Sequence, residues 1–461
     1  MLLRELKIRN LKLLRDVTID FTKADGTVRP WTVLIGRNGT GKTSVLQAIA
    51  LAAAGATGAG MLSQDIREQL PDLRQPGSEV SIEARFDFGP IGRSHRAVHP
   101  FFTAGLFKAG AHGATPEGLH VELLLPPGDD PVRGRSWYTN EPRPDRAIAT
   151  SNDDPLVRAR QENFSHWFVT GYGLFRFMPE RQVAGERPPR PSIDRLRPLF
   201  TPSHLIGPNF ADVLKEELRL KFAAILKGLV EGQQDLVPGI VGVETGGRGG
   251  VQSGRDLLER HRFKERLGSA EHKLPATWFA HGQQSTLAWL SDLVGQVLLE
   301  AGTAIDPKRM EGLVLIDEID LYLHPTWQVG FIRALRDTFP RLQFIATTHS
   351  PILLTGLRRE EVLVLARDPE SGDVVTEQPT HDPRLLTGSE LYEHFFDIDE
   401  LYPTELGRKL DEYCRLAANP YRTDAEDARA DQLYQALDAE GLPPARSKSP
   451  RRSLPGGGSP V

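Results

Sequence analysis

Only one cysteine, Cys414, stands in the 461 residues, which excludes an internal disulfide framework and any multi-thiolate metal site. Long apolar runs are equally scarce. The stretch from Ala48 to Ala54 is Ala-rich and too short to cross a bilayer. The opening MLLRELKIRNLKLLRD is charged throughout, so neither a signal peptide nor a membrane span is expected there. A cytoplasmic protein without a membrane partner is the default reading. An excess of one charge is missing too: a formal net charge of -5 gives no global drive toward nucleic acid or anionic lipid. Apart from His349, the histidines show no metal-ligand spacing. His95 and His99 stand four apart, but in a Pro-flanked loop.

What is there is ordinary in bulk, with 39% hydrophobic and 25% charged residues, and length for about two to three domains' worth of core. LLRELKIRN and DVTIDF alternate like a half-exposed hairpin, and EVSIEARFDF alternates likewise. RPWTVLIG is a continuous apolar strand, as in a sheet covered on both faces. A helix is expected from Lys42 to about Ala54. From about residue 89 to 274, Pro, Gly and Arg become frequent, with LHVELLLP and WFVTGYG as strands and 209–232 as one amphipathic helix. Strand and helix then alternate: a helix over 283–301, the strand EGLVLID, the helix PTWQVGFIRALRDTF and the strand LQFIATT. That order means a parallel sheet with crossover helices. EEVLVLA and DVVTEQ read as closing strands, and 388–440 as acidic helices.

LIGRNGTGKTSV contains Gly36-x-x-x-x-Gly41-Lys42-Thr43, a full phosphate-loop pattern between a strand and a helix. Residues Gly36, Arg37, Asn38, Gly39, Thr40, Gly41, Lys42, Thr43 and Ser44 are the candidate nucleotide cradle. Glycines let backbone N–H groups close around phosphates, and the helix N-terminus adds partial positive charge. Lys42 is expected on the outer phosphates and the Thr43 hydroxyl on Mg²⁺, so ATP and Mg²⁺ are the implied ligands. Far downstream, the apolar run Leu313–Ile316 delivers two acids. Asp317 is expected to hold Mg²⁺ through water, and Glu318 to polarise an attacking water. Asp320 reads as paired with a neighbour. His349 follows the next buried strand and is expected to bond the γ-phosphate.

GRNGTGKTS, LIDEIDLYLHP and ATTHSP, with a long insertion between the first two, resemble the ABC-type ATPase heads of the RecF, SMC and OLD-like group. The LHP turn resembles the OLD-like and anti-phage branch. WFVTGYGLFR and LLTGSELYEHFF…NPYRTDAED resemble the PtuA family of Septu-type defence ATPases. The resemblance implies an α/β P-loop NTPase of ABC-head type: a mixed sheet with flanking helices, a large α+β insertion and a C-terminal helical segment. The implied divisions are 1–88 and 274–380 for the two parts of the head, 89–273 for the insertion or helical lobe, 381–442 for the helical segment and 443–461 for a disordered tail.

Such heads sandwich two ATPs between two subunits, so a homodimer or higher homo-oligomer is implied. The resemblance places their signature turn at Phe279-Ala280-His281-Gly282-Gln283, with Gly282 and Gln283 facing the partner's nucleotide. Ala280 stands where the group carries a serine and has no hydroxyl to donate. His281 either substitutes as a donor or faces solvent, and a plain helix cap is the other reading of the turn. A glutamine-bearing loop is also implied, with Gln64 and Gln75 both candidates. OLD-like relatives often append a nuclease domain; here the one Asp-x-Asp after His349, Asp397-Ile398-Asp399, lies in a helical pattern, so cleavage is expected from a nuclease partner. DNA is a candidate partner: 248–273 carries 7 Lys/Arg against 4 Asp/Glu, and a solvated helix face is the competing reading. The expected function is ATP binding and hydrolysis coupled to DNA- or nuclease-related work, in DNA repair or anti-phage defence. The alternative is a nucleotide-gated sensor or scaffold that hydrolyses little and regulates a partner effector.

Overall fold

In a computed structural model of the chain, the residues described are 1–75, 77–88, 117–128, 130–145, 154–156, 168–177, 191–202, 205–232, 236–237, 239–244, 259, 262–267, 270–301, 306–396, 398, 405–419 and 421–441. His95, His99, Asp397, Asp399 and the tail 443–461 lie outside them, as does most of 248–261. The chain divides into two compact units, Met1–Leu386 and Thr387–Val461.

The first unit holds two large sheets. Strands β1 (Leu2–Leu11), β2 (Leu14–Asp20), β4 (Val80–Asp87), β5 (Gly118–Leu125) and β6 (Arg133–Tyr138) form an antiparallel sheet in the order β2-β1-β4-β5-β6. Its alternation is one-sided: Val80, Ile82, Ala84 and Phe86 of β4 point into the core, and the residues between them are half-buried. The second sheet joins β3 (Trp31–Ile35), β7 (Val169–Tyr172), β11 (Gly312–Ile316), β12 (Leu342–Thr347), β13 (Val362–Arg367) and β14 (Val374–Glu377). Their order is β14-β13-β3-β12-β11-β7, all parallel except the edge strand β14. Every residue of β3, β11 and β12 is buried, as parallel strands covered on both faces require.

Helix α1 (Lys42–Ser63) packs against strands of both sheets and shares one core with them. This explains its lack of a polar face: a helix that is apolar all round is a buried one. Over Lys42–Gln69 it is long and apolar enough to cross a membrane by composition, but most of that stretch is buried inside the protein. The helical run breaks at Gly55 (φ 68°, ψ 176°), beside the expected end near Ala54, and a second helical stretch carries the chain on to Ser63.

The span expected as an insertion supplies strands to both sheets, since β5 and β6 extend the antiparallel sheet and β7 borders β11. The expected single helix over 209–232 is two. A short turn at Phe210–Val213 ends where Leu214 turns extended, and α2 spans Glu216–Gly232. Phe210 closes on Gly295, where an added Cβ would meet the ring at 2.1 Å, and packs against Phe222 of α2, which buries a stripe of Leu218, Phe222, Leu226 and Leu229. A small antiparallel sheet follows, from β8 (Ile240–Glu244), β9 (Arg262–Leu267) and β10 (Ala270–Leu274). Then come α3 (His281–Ala301), leading to β11, and α4 (Pro325–Thr338), crossing from β11 to β12. Pro325 opens α4 and His324 caps it, accepting from the Thr326 N–H, which gives the LHP turn a structural part.

The second unit is helical: α5 (Gly388–Phe396), α6 (Glu405–Ala418) and α7 (Asp424–Ala439). α6 and α7 pack around Tyr413, Leu433 and Leu437, with a Thr423/Glu426 capping box opening α7. The first unit is α/β, with antiparallel and mostly parallel sheets and flanking helices.

Candidate functional site

The fully buried strand β3 ends at Ile35, and the chain turns through residues 36–41 before α1 begins. Gly36, Gly39 and Gly41 all take positive φ, at 145°, 77° and 87°. A Cβ at Gly36 would lie 2.3 Å from the Leu365 carbonyl oxygen, and one at Gly41 would lie 2.9 Å from the Leu14 side chain. The loop is therefore wedged between β13 and the β1–β2 hairpin, and the first of these contacts leaves no room for a side chain. The Thr40 hydroxyl donates to the Arg37 carbonyl at 2.9 Å. Arg367, at the end of β13, donates to the Gly39 carbonyl at 3.2 Å.

Lys42 is buried, and its ammonium folds back to donate to the carbonyls of Gly36 (2.8 Å) and Arg37 (3.1 Å). Burial lowers its pKa, while Asp317 and Glu318 nearby act in the opposite sense. Among the described residues only carbonyl groups meet this cation, so it keeps N–H donor capacity for an anion drawn into the loop.

β11 runs parallel to β12 and β7, and the Asp317 N–H extends that ladder by donating to the Tyr172 carbonyl at 2.8 Å. The Asp317 carboxylate accepts from two hydroxyls: Thr43 on Oδ2 at 2.9 Å and Thr347 on Oδ1 at 2.7 Å. The phosphate loop and the acid pair, 274 residues apart in the chain, thus meet through one hydrogen bond. Thr347 also accepts from the Glu318 N–H at 2.7 Å, so one side chain steadies both acids. Glu318 is half-buried with a φ of 45°, and its carboxylate makes no bond among the described residues. Asp320 accepts from the Thr348 hydroxyl.

The backbone of the two acids is gripped from behind. Arg176, just beyond β7, exposes 2% of its surface and donates to the carbonyls of Asp317 (2.5 Å), Glu318 (2.7 Å) and Gly173 (3.1 Å). Burial pushes its pKa down to about 10, against the pull of Asp317 and its neighbours, so it stays a cation at neutral pH. His349 is exposed and makes no hydrogen bond among the described residues. The N–H of Thr348, just before it, donates to the Leu34 carbonyl of β3 at 3.3 Å, the strand that feeds the phosphate loop.

The stretch 279–283 opens α3. Ala280 and His281 are exposed, whereas Gly282 is buried, and a Cβ there would stand 2.3 Å from the Tyr322 carbonyl oxygen. Gln283 is also buried; its amide oxygen accepts from the Ala280 N–H at 3.1 Å and its amide nitrogen donates to Glu265 at 3.3 Å. Gln64 and Gln75 are both exposed and neither side chain bonds to residues 36–44, so the choice between them stands as it was. Of the basic residues between 248 and 273, Lys264, Lys273 and Arg266 pair with Glu244 and Glu271, which neutralises much of the local excess.

Sequence reasoning missed Thr347, Arg176 and Arg367 as site residues. Thr347 stood inside a quoted motif and Arg176 inside another, yet their partners are either distant or backbone atoms, which leave no side-chain pattern. Among the described residues no three His, Cys, Asp or Glu side chains form a cluster that could hold a metal. The Thr43–Asp317 pair suits Mg²⁺ instead, which takes one or two protein oxygens and completes its shell with phosphate and water.

A family profile described as "AAA domain, putative AbiEii toxin, Type IV TA system" matches residues 31–100 and 207–355, and one described as "AAA ATPase domain" matches 1–56. The chain is 25% identical over 437 residues to a Septu protein PtuA of Bacillus mycoides (strain KBAB4), covering 94% of this chain and 50% of that protein. It is 38% identical over 86 residues to a Retron Vc95 probable ATPase of Vibrio cholerae serotype O1 biovar El Tor, covering 19% of this chain and 17% of that protein. The chain thus spans half the length of the first relative and less of the second. An SMC head domain from Thermotoga maritima superposes with a TM-score of 0.41 and 14% identity, over 82% of this chain and 99% of that one. With its phosphate loop and acid pair joined across the parallel sheet, the chain matches AAA ATPase domain profiles over much of its length and is similar to the Septu PtuA proteins.

Proposed function

We propose that the chain binds ATP with Mg²⁺ and hydrolyses its terminal phosphate. The observation that carries this reading is the 2.9 Å hydrogen bond from Thr43 to Asp317. It brings an anion cradle and an acid pair within reach of one triphosphate. Bound there, Mg²⁺ would neutralise phosphate charge, with Thr43 and Asp317 as its protein ligands. Lys42 would leave the carbonyls of Gly36 and Arg37 for the outer phosphates, aided by the N–H groups of residues 37–44 and by Ser44 at the start of α1. The unengaged carboxylate of Glu318 is suited to orient and accept a proton from the attacking water, and His349 to bond the γ-phosphate.

In the same reading two copies close on ATP, with the α3 N-terminus and Gly282 of one presented to the nucleotide of the other. Gln283 supports the turn from within, because its amide is already tied to Ala280 and Glu265. The likeness to Septu PtuA and a retron ATPase supports a cytoplasmic role in anti-phage defence with a nuclease partner, ahead of DNA repair. The exposed Ala280, without a hydroxyl, favours a second reading: a nucleotide-gated regulator that hydrolyses little.

One variant separates the two readings. Wild type is expected to release phosphate from Mg-ATP, while Glu318→Gln falls about 100-fold or more and retains ATP. Held with Mg-ATP, Glu318→Gln is also expected to gain mass in light scattering. Background turnover in wild type with ATP still bound would move the assignment to the regulator, and no mass gain would remove the ATP-driven interface.

A further inference from the structure

Buried arginines ordinarily answer a carboxylate, and Arg176 does not. Each of its hydrogen bonds goes to a main-chain carbonyl, and two of these belong to Asp317 and Glu318. A leucine or methionine would fill the same space without the desolvation of a cation, so packing alone does not account for the residue. The backbone it grips is also the unusual one. Glu318 holds a φ of 45°, a region that side chains other than Gly, Asn or Asp seldom occupy, directly after a strand that would otherwise run on extended. The guanidinium is planar and rigid, so its simultaneous bonds fix the orientation of successive peptide units as a single ammonium could not.

We propose that Arg176 is a positioning residue for hydrolysis: it locks the Asp317–Glu318 backbone in its left-handed turn and so sets where the Glu318 carboxylate stands. The proposal rests on the hydrolytic reading above. Thr347 holds the same turn from the opposite side through the Glu318 N–H, and the two contacts together leave only the carboxylate arm of Glu318 free. That arm lies near enough to Lys42 to bear on its pKa, which puts it beside the phosphate loop. Arg176 is also the inward anchor of its own segment, because its neighbours Phe175 and Phe177 are exposed by 47% and 43%. Without the clamp the turn relaxes toward the extended region and the carboxylate moves away from the water it must orient. A displacement of about 1 Å at a reacting group costs on the order of 100-fold in rate.

The test measures steady-state hydrolysis, Mg-ATP affinity and thermal melting for full-length wild type, Arg176→Lys and Arg176→Met, with Glu318→Gln as reference. Both Arg176 variants are expected to keep KM and nucleotide affinity within about twofold while kcat falls, by about 10-fold for lysine and about 100-fold for methionine. Lysine retains the charge and the volume, so that variant decides if the methionine protein does not fold. Wild-type kcat in folded Arg176→Lys, with Glu318→Gln inactive, overturns the clamp and leaves the hydrolytic reading standing. A parallel loss of nucleotide affinity and kcat also overturns it, since Arg176 would then serve the binding site as a whole. Glu318→Gln as active as wild type overturns both.

Discussion

At Gly36 one added methyl group decides whether the phosphate loop can form. Its φ of 145° disfavours any side chain, and a Cβ would meet the Leu365 carbonyl at 2.3 Å, a backbone atom in a sheet strand with no freedom to retreat. Gly36→Ala is expected to cost about 2 kcal/mol or more and to abolish nucleotide binding. Urea unfolding and a nucleotide titration check it; unchanged stability with full affinity would mean that the loop is not wedged as described. This residue was legible in the sequence because the motif specifies glycine for a backbone reason. Lys42, Thr43 and Asp317 were legible because phosphate and Mg²⁺ chemistry demand those side-chain types at the ends of a strand and a helix. Thr347 and Arg176 were not. Arg176 works on carbonyl groups that every residue supplies, and Thr347 on the Glu318 N–H and on a carboxylate 30 residues away in the chain, so no local pattern singles them out.

At the scale of elements, α3 is tied to the sheet by a buried carboxylate. Asp292 accepts from the N–H groups of Ile206 (3.0 Å) and Gly207 (3.1 Å) and from the Tyr172 hydroxyl (3.3 Å), on the strand that borders β11. Burial pushes its pKa up to about 6, against the opposing effect of those hydrogen bonds. The folded state therefore holds this proton over a range in which the unfolded chain has lost it, so stability from this group is present at low pH and declines as pH rises from about 4 to about 6. Two pKa units correspond to about 3 kcal/mol. Asp292→Asn keeps an oxygen for both N–H groups and carries no charge. Relative to wild type it is expected to gain stability by about that amount between pH 4 and pH 7, measured by denaturant melts at each pH. A constant difference across that range would place the ionised carboxylate in a better-solvated setting than its burial implies. The helices themselves were read well where one apolar stripe ruled, as in α4. The expected end near Ala54 meets the break at Gly55, but the helical stretch beyond it was not read, nor was the extended Leu214 that divides 209–232 in two.

Over the whole molecule, strand identity was easier to read than strand partnership. The parallel order β13-β3-β12-β11-β7 follows from buried strands separated by helices, but nothing local announced that β7 would border β11 or that β5 and β6 would extend the N-terminal sheet. Those pairings arise from long-range packing around α1, which needs apolar cover on every side. They matter for the site, because β7 carries Tyr172 and Arg176 to the acid pair. The proposed activity requires the phosphate loop and that pair to serve one magnesium-bound nucleotide. A double-mutant cycle with Thr43→Val and Asp317→Asn, scored by the gain in ATP affinity on adding Mg²⁺, tests this most directly. If both residues hold the same ion, each single variant loses most of the Mg²⁺-dependent gain and the double variant loses little more, a coupling of about 1 kcal/mol or larger. Additive losses, or an undiminished Mg²⁺ effect in Asp317→Asn, would contradict it.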